Sequence, residues 1–372
     1  MSLSQKTGIG LPNISVAFKE KAETAIRSLN RQTVAVILAG ESESGVQEYK
    51  SLAELENVLM PSFSREELDF VKRVFEGSYG ESPAKVIVSY APSADTALHA
   101  LYPYSFDWLC GYSVTDQAPE MTEMSTDEAA EDINALIIEK TEEFRLNGKY
   151  CKAVVAGDAA PDREYIVHFV ASGIKSGENT YEAEQYTGRI AGILASLPLS
   201  QSCTYFMLPE VDSVTPEGLL DAEDKIGRGK LILINDGEVV RIARGVTSAT
   251  SEGEHKIKVQ CAKDKIEQEI KQAIKDSYIG KYTNTYDNKC LLIAALRNYF
   301  TEIAKQGLIK KDFEVGIDTD AQTTYLSNKG TDTSALSEQE IKEANTGDEV
   351  FIAIRLSLLD AMEDFTISIS NE

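Results

Sequence analysis

The chain has little of what most catalytic and metal sites are made from. Three of its 372 residues are histidine: His99, His168 and His255. No HExxH, no GxSxG and no nucleophile with a histidine in a motif occurs. The five cysteines, Cys110, Cys151, Cys203, Cys261 and Cys290, are odd in number and form no CxxC pair. Most sit in apolar runs, as buried thiols do, which excludes a disulfide framework and a zinc site. Positive charge is also short. Thirty-seven Lys and Arg face sixty Asp and Glu, for a net charge of -23 and a pI near 4.6. Nucleic acid and anionic membranes would repel such a chain. No apolar run approaches the roughly 18 residues of a membrane helix. The opening Met-Ser-Leu-Ser-Gln-Lys-Thr-Gly has no apolar core of a secretion signal, so a cytoplasmic product is expected. No long-period repeat or low-complexity tract stands out.

What is present suits a folded body. Hydrophobic residues make up 42% and charged residues 26%, enough for a large core in two or three domains. Residues 33–39, Thr-Val-Ala-Val-Ile-Leu-Ala, read as a strand covered on both faces. A polar stretch follows. Ser64-Arg-Glu-Glu67 is a capping box that opens a helix ending near Gly77. Lys85–Tyr90 and Phe106–Tyr112 are two further strands around a short helix at Ala94–Leu101. Ser125-Thr-Asp-Glu128 is a second capping box, with a helix to about Leu146. Strands follow at Ala153–Ala156 and Ile166–Ala171, and a helix runs from Glu182 to before Pro198. This alternation predicts an α/β class with a layered, mainly parallel sheet.

Thr215-Pro216 then signals another helix start. Asp236-Gly237 predicts a hairpin between Leu231–Ile234 and Val239–Ala243. The polar run Ser248–Glu254 is the expected domain linker. Beyond it, Ile266, Ile270, Ile274 and Tyr278 mark one helix. Leu291, Leu292, Ala295, Leu296, Tyr299, Phe300 and Ile303 mark another with a wide apolar stripe. A strand at Phe313–Ile317, a short helix at Ala321–Leu326, a helix capped by Ser337–Glu340 and a strand within Val350–Leu359 complete an α+β second domain.

Two stretches lie outside these bodies. Ile14, Val16 and Phe18 alternate with Ser15 and Ala17. Phe365, Ile367 and Ile369 alternate with Thr366, Ser368 and Ser370. Both read as strands with one apolar face. A lone end strand cannot satisfy its own backbone. It closes a sheet at home or adds to the sheet of another copy. Asp360, Glu363 and Asp364 make an acidic, flexible linker before the second strand.

Candidate chemistry is thin. Gly40 and Gly45 bracket a loop after the first strand, but Val46 and Gln47 stand where a phosphate loop needs Lys and Ser or Thr. Glu41 and Glu43 would repel phosphate. His168, inside a strand, reads as a satisfied sheet histidine. The acidic stretch Asp116–Asp132 lacks calcium-loop spacing and reads as a solvated loop. Arg241 and Arg244 read as partners for surface carboxylates. No catalytic, cofactor or metal residue is assigned.

Seven stretches together resemble the contractile tail sheath proteins of bacteriophages and phage-tail-like bacteriocins, most of all compact Gram-positive and diffocin-type sheaths. They are Gly10-Leu-Pro-Asn-Ile-Ser-Val-Ala-Phe-Lys19, Thr187-Gly-Arg-Ile-Ala-Gly-Ile-Leu-Ala195, Pro198-Leu-Ser-Gln-Ser202, Val240-Arg-Ile-Ala-Arg-Gly-Val246, Tyr278-Ile-Gly-Lys-Tyr-Thr-Asn-Thr-Tyr-Asp-Asn-Lys289, Ala344-Asn-Thr-Gly347 and Asp360-Ala-Met-Glu-Asp364. None is a catalytic motif.

The resemblance implies an N-terminal arm at 1–20 and a subtilisin-like α/β sheath domain at 21–250, with 41–130 as its variable outer part. It implies an inner core domain at 251–359 and a C-terminal arm at 360–372. Ile14, Val16, Phe18, Phe365, Ile367 and Ile369 would be the inter-subunit arm strands. Asp360, Glu363 and Asp364 would be the arm linker. Expected partners are other copies in six-fold rings or a helical array, a tail tube protein, and baseplate and terminator proteins. Direct nucleic-acid contact, membrane insertion, catalysis and a cofactor are not expected. The implied location is the host cytoplasm during assembly and then the tail of a particle. The competing expectations are a cytoplasmic α/β enzyme and another self-assembling tail component, such as a tube protein. An enzyme would elute as a small oligomer, and a tube subunit would not need so large an α/β body.

Overall fold

The structure is a computed structural model. It describes residues 31–41, 43–57, 63–113, 132–157, 161–216, 218–251 and 254–370. The expected N-terminal strand at Ile14, Val16 and Phe18 and the capping box at Ser125–Glu128 lie outside the described residues. Contacts divide the chain into two units. Among the described residues, one is the body from Arg31 to Asp264 together with the segment from Asp360, and the other is Lys265–Leu359.

The first unit begins β1 (Thr33–Ala39), β2 (Gly45–Tyr49), α1 (Leu52–Asn57), α2 (Arg65–Glu76), β3 (Lys85–Ala91), α3 (Ala94–Ala100), β4 (Trp108–Ser113), α4 (Ile133–Leu146), β5 (Lys152–Val155) and β6 (Ile166–Val170). It continues β7 (Ile174–Ser176), β8 (Asn179–Tyr181), α5 (Ala183–Ser196), β9 (Met207–Leu208), α6 (Leu219–Gly227), β10 (Lys230–Asn235) and β11 (Val240–Ile242). Nine strands form one sheet in the order β2-β3-β1-β4-β5-β6-β10-β11-β9. The six from β3 to β10 in that order pair in parallel, while β2 and the β11–β9 end run antiparallel. The mainly parallel layer thus follows from the strand–helix alternation.

Burial explains the continuous apolar runs. On β1, Ala35, Ile37 and Ala39 face one side and join a core with Leu98, Leu101, Ile137 and Phe144 of the α3 and α4 region. Val34, Val36 and Leu38 alternate to the other side and are equally buried. That second face is covered by α2 and α5. Phe70 of α2 stacks on Tyr112 of β4, with ring centroids 5.4 Å apart. The capping box opens α2 as read, with Ser64 accepting from the amide of Glu67 and Glu67 from that of Ser64. Gly77, at φ 55°, ends it.

Two glycines let α5 lie close on α2. A Cβ on Gly192 would stand 2.9 Å from the carbonyl carbon of Val74 and closer still to its oxygen. One on Gly188 would meet the Phe70 ring. Between them, buried Arg189 donates to Glu210 at 2.7 Å, to the carbonyl of Gly77 at 2.6 Å and pairs with Glu76 at 2.9 Å. The stretch Thr187–Ala195 is therefore a helix–helix seam.

Four local expectations change. The polar stretch after β1 contains an edge strand, β2, whose half-exposed Val46, Gln47 and Glu48 gave no burial pattern to read. The Thr215-Pro216 start moves to Gly218 as N-cap, and the Thr215 amide bonds the carbonyl of Ser172. Within its described part, α4 starts at Ile133 with Asp132 as its cap. The first part of the expected Ser248–Glu254 linker is tied down: Ser248 donates its amide to Ile166, and Thr250 and Ser251 bond Asp162 at 2.7 and 2.8 Å. The contact division falls instead inside α7 (Ile257–Ser277). The first turns of α7 carry Asp264, almost fully buried, which takes a two-pronged bond from Arg145 at 2.8 and 3.1 Å and lies 3.5 Å from Lys152.

The second unit holds the rest of α7, α8 (Tyr286–Lys305), β12 (Glu314–Ile317), α9 (Thr319–Asn328), α10 (Glu338–Glu343) and β13 (Ile352–Arg355). On α8, Leu292, Ile293, Leu296, Phe300 and Ile303 are buried. Leu291 is exposed, so the stripe is narrower than its composition implied. β12 and β13 pair antiparallel as a two-stranded ribbon, with Val315 opposite Ile354.

Candidate functional site

The three histidines have structural occupations. His168 Nε2 lies 2.8 Å from the carbonyl of Gly157, His255 Nδ1 lies 2.8 Å from that of Ala249, and exposed His99 lies beside Asp95. Among the described residues no group of three or more His, Cys, Asp or Glu is placed to hold a metal ion. No described helix is long and apolar enough to cross a membrane. A cavity lined by Leu194, Leu199, Cys203, Ile257 and Cys261 offers about 20 Å³, room for a water rather than a substrate.

The loop after β1 opens on a carboxyl contact with α2. Its Glu41 is buried against Glu67, the capping residue of α2. Burial, then the hydrogen bond with Glu67 and the charges of Glu67 and Glu43, push the Glu41 carboxyl up to about 7. The folded chain therefore keeps a proton that the unfolded chain releases from about pH 4.5. The stabilisation from that proton is fully present below the unfolded value and is lost as pH rises through about 7. Melting of the unassembled protein should fall between about pH 5.5 and about pH 8, and Glu41→Gln should flatten that fall and melt higher at about pH 8. Equal slopes for the two proteins would show that the pair does not control this stability.

Residues 365–370 of the C-terminal segment pair with no described strand. Phe365, Ile367 and Ile369 are 70%, 78% and 92% exposed. Such an apolar row on the surface is unusual for a finished monomer.

Its root is different. The Glu363 side chain is only 3% exposed. It accepts from the hydroxyls of Ser202 and Thr204 at 2.8 Å each and from Lys256 Nζ at 2.6 Å, and Arg244 Nε lies 3.3 Å away. Lys256 also pairs with Asp360 at 2.8 Å, and Arg244 with Asp364. Burial works to raise the Glu363 carboxyl, but the bonds from Lys256, Thr204 and Ser202 outweigh it and hold the group below the usual carboxylate range. The expected flexible linker of Asp360, Glu363 and Asp364 is thus fastened to the sheet unit. Arg244, read as a surface partner, has a buried carboxylate as its counterpart. Arg241 pairs locally with Asp236 of the hairpin turn.

Three of the seven resembling stretches meet here: Pro198–Ser202, Val240–Val246 and Asp360–Asp364. Two others meet in the second unit. Asn284 donates to Thr346 Oγ1 at 3.0 Å and to the carbonyls of Gly347 and Glu349 at 2.9 Å, and buried Lys289 lies 3.2 Å from Thr346 Oγ1. Burial lowers the Lys289 ammonium from its ordinary value. These contacts tie the turn before α8 to the loop before β13. No short-range signal points to either cluster. The acid-rich ending and the basic hairpin flank were visible, but not their pairing.

Comparison with known proteins gives the family and the fold. Residues 254–371 match the family model of the phage tail sheath C-terminal domain. The chain is 36% identical over 373 residues to the tail sheath protein of Clostridium phage phiCD119, covering 97% of this chain and 99% of that one. Its fold is similar to the contracted helical sheath of the anti-feeding prophage, with TM-score 0.68 at 12% identity, 98% of this chain and 100% of that one. It is also similar to the contracted sheath of the extracellular contractile injection system PVC, with TM-score 0.65 at 14% identity and 99% of both chains. The sheath tail protein of Listeria innocua matches with TM-score 0.62 at 14% identity, over 90% of this chain and 97% of that one.

Proposed function

Because the chain belongs to the phage tail sheath family, we propose that its copies join by exchanging terminal strands around a tail tube. The chain is a structural subunit of a contractile sheath. The observation that carries the strand exchange is the alternating, exposed and unpaired row of Phe365, Ile367 and Ile369. Ile14, Val16 and Phe18 are the proposed second donor. The proposed acceptor is the β12–β13 ribbon of another copy. A ribbon of two four-residue strands is marginal by itself and has backbone groups to offer along its outer edges. An added strand would bond that backbone, and its alternate side chains would set register.

Donor and acceptor are different surfaces, so the joint is heterologous and builds rings or an open helix. Each arm side chain contributes roughly 1.5–3 kcal/mol on burial, before ordering costs. Contraction is then a rearrangement between bodies that remain strung together, from a kinetically trapped array to a more stable shorter one. The energy is stored at assembly, and neither nucleotide nor catalysis takes part. The tube protein and the baseplate and terminator proteins are the proposed partners. The proposed setting is the host cytoplasm during assembly, then a tail that drives its tube through a target envelope. The domain from about 251 to 359 is the proposed tube-facing layer, and 41–130 the outer one.

Negative-stain microscopy of the protein with its tube protein, beside size-exclusion chromatography, tests this. Sheathed tubes are expected. A small, discrete oligomer in the presence of assembled tube protein would refute it.

A further inference from the structure

The arm and its root differ in how they are held. Up to Asp364 the segment is held, through the buried Glu363 side chain and its acidic neighbours, by charged and hydroxyl groups that come from three separate places: Ser202 and Thr204 after α5, Arg244 after β11, and Lys256 before α7. From Phe365 on it has no such hold, and its apolar side chains are exposed. A carboxylate as buried as Glu363 is tolerated only because two cations and two hydroxyls surround it, and withdrawing one member leaves the others uncompensated. The side charges reinforce this, since Lys256 shares Asp360 and Arg244 shares Asp364.

We propose that Arg244, Lys256 and Glu363 form a latch that holds the root of the C-terminal arm on its own subunit and so sets the length of the tether between copies. While the latch is closed, the free arm starts at Phe365, and its described residues 365–370 reach at most about 20–22 Å from Asp364. With the latch open, the tether starts at Asp360 and gains about 17 Å. The latch itself is a property of the single chain. Its role as a limit on how far a body can travel without losing its neighbour rests on the strand-exchange reading.

The shift is measurable on the unassembled protein. Chymotrypsin cuts after Phe365 only if several residues on each side of the bond can leave the body and extend through the protease. Cleavage followed by mass spectrometry should be slow in the native protein and about tenfold or more faster in Glu363→Ala. Arg244→Gln should also accelerate it, and because Arg244 is partly exposed that variant decides the matter if Glu363→Ala does not fold. Faster cleavage with an unchanged thermal melt of the body is the expected result. Equal rates in all three proteins, or a faster rate matched by a lower melting temperature, overturn the latch. Microscopy of the same samples with tube protein reads the other question. Native protein that fails to form tubes sinks strand exchange, whatever the protease shows.

Discussion

A chain ended at Asp364 is expected to fold, stay soluble and form no sheath. The truncation removes Phe365, Ile367 and Ile369, which touch solvent in the single chain. It leaves Glu363 in place with its four partners. The new carboxylate at Asp364 lies beside Arg244, which already pairs with that residue. The body therefore has no reason to melt earlier. The joint between copies loses three apolar side chains, together worth roughly 5–9 kcal/mol before ordering costs. Even about 4 kcal/mol of that surplus is close to a thousandfold in affinity. A proline at position 367 should act alike if that amide pairs, since it removes a ladder donor. Circular dichroism melting beside negative-stain microscopy separates the readings. Normal tubes from the truncated chain would end the arm hypothesis. An aggregating, destabilised monomer would mean that the strand docks at home.

The largest effect on the body itself is expected from Gly192→Ala. The added methyl would press on the carbonyl group of Val74, and a helix backbone cannot rotate aside as a side chain can. α2 and α5 would have to separate, and with them Phe70 from Tyr112 and Arg189 from Gly77. Overpacking of this kind costs about 1–3 kcal/mol, and here about 3 kcal/mol or more because the clash is with backbone. That corresponds to a fall of roughly 6–12 °C in the melting temperature. Gly227→Ala is the control. It ends α6, has open space around its Cβ position, and should melt within about 2 °C of the native protein. Equal melting of the two variants would show that the α2–α5 seam has slack.

Much of the fold was legible because its signals are local. The unbroken apolar run of β1, the Ser64–Glu67 box of α2 and the Asp236-Gly237 turn each act over a few residues. The structure places all three where the spacing did. The failures had competitors further off. Thr215 is bonded through its amide to Ser172, and the helix expected there begins at Leu219 with Gly218 as its cap. Ser248–Ser251, composed like a linker, is strapped to Asp162 and Ile166. β2 shows no clear alternation because it is an edge strand whose residues are half exposed.

By itself the sequence determined the α/β class, the main alternation of buried strands and helices and, through seven scattered stretches, the sheath family. Those are matters of periodicity, capping and motif, which near neighbours in the chain encode. Only the tertiary structure decided that Glu363, rather than Asp360 or Asp364, is the buried anchor of the arm. Its partners Lys256, Arg244 and Thr204 lie 107, 119 and 159 residues away. Charge pairing at that separation leaves no periodic trace. The same holds for Gly192, where the need for glycine comes from a carbonyl on another helix. A composition that reads as a loose acidic tail becomes a fixed root because folding brings two cations and two hydroxyls to one carboxylate, and burial makes that pairing strong.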